Sequence, residues 1–253
     1  MSLLRDYSKQ AETYDATRAA SSSVLAPLRQ ALEPAPGRRL ADIGGGTGNY
    51  AAALRDEGWE PVVLDRSPAM LQRAAAKGLE TVEADAQALP LPDRSVDAAM
   101  LVSMLHHVED PATALREARR ILRPGGRLAA MIYTRDDIED LWYHDLFPST
   151  RAWMLASHPP RADFEAMLPG ADRIIVRMTD LEDASLAALA SHPELLLEDR
   201  WRRQTSYFER LARDHSDELR AGLERLERAV RAGDPPRMVG TATLLAWTAP
   251  PAG

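Results

Sequence analysis

Residues 40–50 read Leu40-Ala41-Asp42-Ile43-Gly44-Gly45-Gly46-Thr47-Gly48-Asn49-Tyr50. An apolar strand candidate runs here into a glycine-rich loop, and a helical segment follows the loop. Glycine permits positive φ angles and lets the backbone approach a ligand closely. The first turn of a helix adds free amides and the positive end of the helix dipole. The stretch therefore predicts a strand–loop–helix unit that holds a ligand.

Glycine spacing alone leaves the kind of ligand open. A dinucleotide-binding loop has the pattern G-x-G-x-x-G, with alanine allowed at the last place. Counted from Gly44, the pattern fails at Asn49, but counted from Gly46 it passes with Gly48 and Ala51. An NAD-type oxidoreductase is therefore one hypothesis at this point.

Alternating strand and helix signals surround this loop. The strand candidates are Arg39–Ile43, Pro61–Leu64, Glu80–Ala84, Asp97–Val102, Arg127–Tyr133, Arg173–Met178 and Thr241–Trp247. Helical stretches lie between the early strands, at Tyr50–Glu57, Pro68–Lys77 and Pro111–Leu122. This alternation is typical of a parallel sheet with crossover helices.

The segments outside these strands suggest a division of the chain. Residues 182–232 look wholly helical and stand between the last two strands, which indicates an inserted cap. We expect a helical leader or lid over residues 1–35 and an α/β core over 36–181. The helical cap is expected over 182–232, and the final core strand within 233–253.

The composition of the 253-residue chain narrows the protein class. No cysteine is present, so disulfides and thiolate chemistry are excluded. The net charge of −7 disfavours a nucleic-acid partner, because phosphate backbones are bound by basic surfaces. No apolar run approaches the ~20 residues of a membrane span, and the start lacks a signal-peptide pattern. We expect a cytoplasmic protein, a monomer or homodimer, without a membrane partner.

The acid before the glycines favours a different ligand from a dinucleotide. Asp42 with Gly44, Gly46 and Gly48 forms an acid-x-Gly-x-Gly-x-Gly pattern that resembles the first motif of class I S-adenosylmethionine (SAM)-dependent methyltransferases. The resemblance implies that the Asp42 carboxylate orders the loop and receives the ammonium of SAM. An acid at this place would repel a pyrophosphate.

Two more acids stand at the ends of the next strands. Asp65 ends the second strand, 21 residues after Gly44, where a carboxylate can accept both hydroxyls of a ribose. Arg66 and Met70 follow it and are further cofactor candidates. Asp85 ends the third strand, where the acid of the resembling family bonds the adenine amino group, and Ala86 is next to it.

The segment after the fourth strand reads Ser103-Met104-Leu105-His106-His107-Val108. In the resembling family this segment faces the methyl group, and Ser103 is the cofactor candidate within it. The strings Asp65–Leu71 and Leu105–Val108 are similar to a branch with ubiquinone/menaquinone C-methyltransferases and many natural-product methyltransferases of secondary metabolism. The resemblance implies a doubly wound, seven-stranded, mostly parallel Rossmann-like α/β sheet with the last strand antiparallel, plus a helical cap.

His106 and His107 are the candidate catalytic bases. An acceptor hydroxyl, ammonium or acidic C–H must lose a proton, and a neutral imidazole can take one near pH 7. The alternative is that one histidine packs against the end of the sheet and the other caps the next helix.

Two further groups are tentative site residues. In proteins of similar sequence, a Tyr-Asp-x-x-Arg segment lies over the cofactor and the acceptor, and here it corresponds to Tyr14 and Arg18. These two residues share a helix face at i and i+4, and an ordinary surface helix is the alternative. Tyr7 is a substrate candidate in the same leader.

Aromatic residues after the fifth strand form the second tentative group. Trp142 and Tyr143 could wall an acceptor pocket, with His144 as a second candidate base. The alternative is that these large side chains belong to the core.

The pattern as a whole predicts a SAM-dependent methyltransferase that acts on a small-molecule acceptor at O, N or C and releases S-adenosylhomocysteine (SAH). No metal ligand set is expected. Nucleic-acid amino-methyltransferases commonly carry Asn/Asp-Pro-Pro-aromatic after strand four, a pattern that Ser103–His106 lacks. The alternatives are an NAD-type oxidoreductase and a catalytically silent SAM-binding protein.

Overall fold

A computed structural model describes residues 19–182 and 185–251 of the chain. The strands found in these residues are β1 Arg39–Ile43, β2 Glu60–Asp65, β3 Glu80–Glu83, β4 Val96–Val102, β5 Leu122–Ile132, β6 Asp172–Arg177 and β7 Thr241–Thr248. They form one seven-stranded sheet in the order β3-β2-β1-β4-β5-β7-β6. The pairs from β3 to β5 are parallel, whereas β7 is antiparallel to both β5 and β6. The predicted fold class is confirmed, including the antiparallel last strand.

Helices flank this sheet and continue beyond it. The first group is α1 Ser22–Leu32, α2 Asn49–Arg55, α3 Pro68–Ala76 and α4 Pro111–Arg120. After β5 come α5 Arg135–Ile138, α6 Tyr143–Leu146, α7 Ser149–Ser157 and α8 Arg161–Met167. Between β6 and β7 come α9 Leu186–Leu189, α10 Asp199–Arg202, α11 Ser206–Asp214 and α12 Ser216–Arg231.

Each face of the sheet is covered by its own set of helices. Successive side chains of a strand point to opposite faces. In β4, accordingly, Ala98 and Met100 pack with α1, α2 and α3, while Ala99 and Leu101 pack with α4 and α8. All four side chains are fully buried. Burial on both faces explains why the central strands read as continuous apolar runs.

The strand order reverses direction between β1 and β4. Chain order runs outward from β1 to β3 on one side and from β4 to β5 on the other. In doubly wound sheets, ligands bind in the crevice at the carboxyl ends of the strands beside such a switch point. The glycine-rich loop follows β1 and Ser103 follows β4, so both lie at this crevice.

One strand begins earlier than the sequence predicts. The helix α4 ends at Arg120, and β5 begins at Leu122 rather than at Arg127. The pairing with β4 shifts between the pairs Val96–Leu122 and Ala98–Arg127 because the intervening turn is looped out of the ladder. Gly125 in that turn has φ +75°, which glycine adopts without strain.

The prediction that residues 182–232 are wholly helical is wrong, because the helical segment is interrupted several times. The described part of this segment is divided into α9, a 3₁₀ turn over Pro193–Leu197, α10, α11 and α12. The side chains of Ser185 and Thr205 cap α9 and α11 by accepting bonds from the amides of Ala188 and Phe208. Such capping residues favour new helix starts over continuation.

These short helices share a third hydrophobic cluster with the segment after β5. Its members run from Ile138 to Met154 and from Leu189 to Leu226. Residues 138–155 therefore pack with the helical segment that precedes β7. No helix among the described residues has the length and apolar content needed to cross a membrane.

Candidate functional site

A pocket of about 320 Å³ lies at the carboxyl ends of β1, β2, β3 and β4. This volume is in the range of small-molecule binding sites. Ten of the predicted site residues line it, namely Asp42, Gly44, Gly46, Asp65, Arg66, Met70, Asp85, Ala86, Ser103 and His107. The sheet thus brings together residues that are up to 65 positions apart in the chain.

The glycine-rich loop has a backbone conformation that glycine adopts readily and that other residues rarely adopt. Gly44, Gly46 and Gly48 have φ angles of +68°, +56° and +72°. A Cβ on Gly48 would lie 2.4 Å from Cδ1 of Leu79, so the loop packs directly on its neighbours there. Gly46 has open space around its Cα, as a backbone that faces a ligand requires. Gly48 itself is not among the residues that line the pocket.

A lysine that directly follows α3 holds the glycine-rich loop in place by hydrogen bonds. The ammonium of Lys77 donates to the carbonyl oxygen of Thr47 at 2.9 Å and also bonds the side-chain oxygen of Asn49. Thr47 and Asn49 both line the pocket. Lys77 therefore positions the loop without lining the pocket.

Asp42 is a buried carboxylate at the base of the pocket. Its exposure is 2%, and its Oδ2 has no hydrogen-bond partner among the described residues. A Cβ on Gly45 would lie 2.3 Å from that oxygen, so the loop covers the carboxylate closely. Burial, with a smaller effect of the nearby Asp65, raises the pKa of Asp42 to about 8. An unpaired buried oxygen of this kind is satisfied by a cationic donor.

Asp65 uses both carboxylate oxygens to organise the second edge of the pocket. Oδ2 accepts the amide of Gly46 at 2.9 Å, and Oδ1 accepts the amide of Ser67 at 2.9 Å. Each carboxylate oxygen can accept a further bond. Ser67 in turn caps α3 by accepting from the amide of Met70. Asp65 is therefore fixed in place and can still receive two hydroxyl donors.

The third strand contributes an exposed acid and a glutamine. Oδ1 of Asp85 accepts the amide of Gln87 at 2.8 Å. Gln87 lines the pocket, and its side-chain oxygen accepts the amide of Asp110, which caps α4. Gln87 is not among the residues predicted from the sequence, although its position two residues after Asp85 was a usable signal.

Ser103 has an uncommon backbone conformation at the end of β4. Its φ is +54°, and positive φ is rare for residues other than glycine. Its buried hydroxyl oxygen has no hydrogen-bond partner within the described chain. Strained backbone and an unsatisfied hydroxyl in one pocket residue are typical of functional sites.

The two candidate bases lie differently. His107 lines the pocket, while His106 is exposed outside the lining. Their rings are in contact, with centroids 3.8 Å apart. Both belong to a 3₁₀ turn, Leu105–His107, whose Leu105 is buried and holds the turn against the sheet.

At its described end, the leader reaches the pocket. Ala19 lines the pocket, and its amide donates to the carbonyl oxygen of Glu182 at 2.7 Å. The carboxylate of Asp180 accepts the amide of Ser23 at 2.8 Å and the hydroxyl of Ser21 at 2.9 Å at the start of α1. Tyr7, Tyr14 and Arg18 lie outside the described residues.

The predicted aromatic wall is not part of the pocket. Trp142, Tyr143 and His144 are buried at 7%, 0% and 5% exposure. The Trp142 indole donates to the carbonyl oxygen of Ala190, and the Tyr143 hydroxyl donates to that of Leu186. These side chains join the third cluster, because core packing satisfies both their apolar surface and their polar tips. Their placement corrects the tentative substrate assignment.

His144 is also unsuited to act as a base at the pocket. Its Nε2 lies 3.0 Å from the carbonyl oxygen of Ile138, and its Nδ1 lies 3.2 Å from Oγ1 of Thr150. Burial lowers its pKa below the ordinary value. Both ring nitrogens are therefore engaged in the interior. No group of three or more acids and histidines among the described residues is arranged to hold a metal ion.

Comparison with known proteins agrees with this geometry. Residues 41–130 match the family described as "Methyltransferase domain". An uncharacterized methyltransferase of Mycobacterium tuberculosis is 44% identical over 108 residues, which are 42% of this chain and 44% of the relative. A demethylmenaquinone methyltransferase of Thermus thermophilus is 42% identical over 109 residues, which are 40% of this chain and 49% of the relative.

A solved structure extends the likeness over most of the chain. It is a putative methyltransferase from an antibiotic biosynthesis pathway of Anabaena variabilis, with a TM-score of 0.75. It is 24% identical and covers 90% of this chain and 98% of its own, which shows a shared fold. The sequence matches span less than half the length of the two curated relatives. Residues 41–130 of this chain are therefore similar to a methyltransferase domain, and the chain shares its fold with a solved putative methyltransferase.

Proposed function

We propose that the protein transfers the methyl group of SAM to a small-molecule acceptor and releases SAH. The observation that carries the proposal is the buried Asp42 carboxylate, whose unpaired oxygen lies under the glycine-rich loop. A dinucleotide would bring a pyrophosphate to this loop, and that anion offers no cationic donor to the buried Asp42. The ammonium of SAM supplies the cationic donor that this oxygen lacks.

The remaining pocket residues fit the other parts of SAM. Asp65, already fixed by two amides, would accept the ribose hydroxyls. Asp85 and Ala86 would contact the adenine, with Arg66 and Met70 at its sides. SAM supplies an activated methyl group on a positively charged sulfur. Ser103 and His107 line the same pocket after β4, where the acceptor would meet this methyl group.

The role of the protein is then to hold the two reactants in line. Positioning of reacting atoms within ~3–3.5 Å can supply most of the rate of such a transfer. The acceptor is proposed to be a small molecule of secondary metabolism, methylated in the cytoplasm without a nucleic-acid partner. This assignment rests on the acidic composition and on the similarity to natural-product methyltransferases.

Methyl transfer can be tested with SAM that carries a radioactive methyl group. Thermal-shift screening with SAH present first selects acceptors from phenols, alcohols, amines and quinols. The selected compounds are then incubated with the labelled SAM. We expect the label to appear in at least one compound, and SAH to form in equal amount. Stabilisation by acceptors without any transfer of label would instead support a silent SAM-binding protein.

The raised pKa of Asp42 predicts that SAH binding depends on pH. At pH 6 the carboxyl is mostly protonated, and binding of the ammonium requires it to lose that proton. Affinity should therefore rise by up to about tenfold per pH unit and level off above pH 8. Calorimetry at one pH in two buffers of different ionisation enthalpy should show release of a proton. In the Asp42→Asn variant, both the pH dependence and the proton release should disappear. A flat affinity between pH 6 and 8 would contradict this role for Asp42.

We further propose that the leader ahead of α1, together with residues 182–232, forms a lid over the acceptor, while α1 itself packs on the sheet. Ala19 on the pocket and its bond to Glu182 support this arrangement, because they join the two segments at the pocket edge. Exclusion of water from the reacting atoms commonly needs such a lid.

Hydrogen exchange with and without SAH tests the lid. Amides in residues 5–20 should gain protection when SAH binds, together with those of Gly44–Gly48, because Tyr14 and Arg18 are proposed to contact the cofactor. A response that is confined to the glycine-rich loop would remove Tyr14 and Arg18 from the site.

A further inference from the structure

Three of the six histidines of the chain meet beside the pocket. The His106 ring lies 3.8 Å from that of His107 and 6.3 Å from that of His158, measured between centroids. The His106 and His158 rings are stacked, with an angle of 23° between their planes. His158 directly follows α7, so an element far along the chain completes a cluster that begins after β4. We call His106, His107 and His158 the histidine cluster.

The hydrogen bonding of His158 fixes its tautomer. Its Nδ1 lies 2.9 Å from the carbonyl oxygen of Met154. A carbonyl oxygen only accepts, so Nδ1 carries the proton and Nε2 holds the lone pair when the ring is neutral. Burial lowers the pKa of His158, against opposing effects of the Met154 carbonyl and Asp137. The His158 ring is therefore neutral near pH 7, and its hydrogen bond to Met154 fixes the orientation in which it stacks on the His106 ring.

The position of each ring suggests a different task. His107 lines the pocket, whereas His106 is exposed to solvent and stands between His107 and His158. Charges of both signs surround the cluster. Glu109, Asp42, Asp65 and Asp85 line the pocket with His107, and Asp137, paired with Arg161, acts on His158. The guanidinium of Arg135 donates to the carbonyl oxygen of Leu155, in the last turn of α7 before His158.

Mutual repulsion limits how much charge the cluster can hold. Two imidazolium rings at contact distance disfavour each other, because like charges within ~4–6 Å oppose ionisation. Once one ring of the cluster is charged, a positive charge on a neighbouring ring is therefore disfavoured. A site that keeps a neutral imidazole available at the reacting end is suited to remove a proton during catalysis.

We propose that the histidine cluster is a single proton-accepting unit, and that the methyl acceptor is accordingly a group that must lose a proton, namely a hydroxyl, an amine or an acidic C–H. In this unit His107 takes the proton, His106 connects it to water and His158 positions His106. This inference rests on the proposed methyl transfer. His107 is the catalytic residue of the unit, and His158 is a positioning residue.

The chemical step balances without any other reactant. The oxygen, nitrogen or carbon of the acceptor bonds to the methyl carbon while the carbon–sulfur bond breaks, and the electron pair of that bond stays on sulfur. The acceptor proton moves to His107, which becomes an imidazolium and passes the proton to water. The positive charge lost at sulfur thus leaves as this proton.

Ring titration by NMR tests the unit without knowledge of the acceptor. SAH binding is measured first by calorimetry, and its absence would contradict the proposed function. With SAH bound, we expect His158 to be neutral with its proton on Nδ1 at pH 7. We also expect no more than one of the three rings to be charged at pH 6. Three independent titrations near the ordinary pKa of about 6.5 would overturn the unit while leaving SAM binding intact.

Kinetics of variants then separate the roles, using an acceptor found by the label assay. The His158→Phe variant keeps a stacked ring and should retain turnover within about threefold. The His158→Ala variant removes that ring and should lose turnover about tenfold with the KM for SAM unchanged.

Exogenous imidazole should restore part of the turnover of His107→Ala. His215→Gln, at an exposed site on α11's end, is the matched control. Equal turnover of His107→Ala and wild type, or of His158→Ala and wild type, would overturn the proposal.

Discussion

Replacement of Asp65 by alanine is expected to weaken SAH binding at least tenfold. The carboxylate is proposed to accept the ribose hydroxyls, and it also accepts the amides of Gly46 and Ser67 at 2.9 Å each. Loss of a charge-assisted pair of hydrogen bonds, with donors left unpaired, costs ~2–4 kcal/mol. Loosening of the glycine-rich loop adds to this loss. Isothermal titration calorimetry measures the effect directly.

Two companion variants show whether the loss of SAH affinity is specific to the Asp65 carboxylate. Asp65→Asn keeps one acceptor oxygen and should bind SAH with intermediate affinity. Asp56→Ala removes an exposed acid at the end of α2 and should bind SAH as the wild type does. An unchanged affinity of Asp65→Ala would remove this residue from the cofactor site.

Replacement of His107 by alanine is expected to lower turnover by ~10²–10⁴-fold. The imidazole lines the pocket after β4, where the acceptor would lie, whereas Asp42, Asp65 and Asp85 are proposed to hold SAH. SAH affinity should therefore stay nearly unchanged, which separates chemistry from binding. Steady-state kinetics with labelled SAM, together with calorimetry, give both quantities. His106→Ala should show a smaller loss, because His106 lies outside the pocket lining.

Turnover of the histidine variants must be measured over a range of pH to show whether either histidine acts as a base. If the single variants His106→Ala and His107→Ala both keep full turnover from pH 6 to pH 9, neither histidine acts as a base. Catalysis would then depend on positioning alone.

The fold and the cofactor side of the pocket could be predicted because their signals are local. Each acid of the motif stands at the end of its own strand, and parallel strands place these ends together. The positions of Asp42, Asp65 and Asp85 therefore followed from the order of strands along the chain. The glycine-rich loop was equally visible, because positive φ angles there require glycine.

The acceptor side could not be predicted in the same way. Trp142 and Tyr143 look alike in sequence whether they wall a pocket or fill a core, and only packing between distant helices decides. His158 joins His106 through a contact between elements some fifty residues apart, which no spacing rule encodes. The strained backbone of Ser103 is likewise set by the surrounding sheet and not by its own side chain.

Calorimetric titration with SAH and with NADH, side by side, distinguishes a SAM pocket from a dinucleotide pocket. We expect SAH to bind at one site per chain, and NADH to show no binding at comparable concentration, because its pyrophosphate offers no cationic donor to Asp42. Binding of NADH with no response to SAH would show that the pocket is not a SAM site.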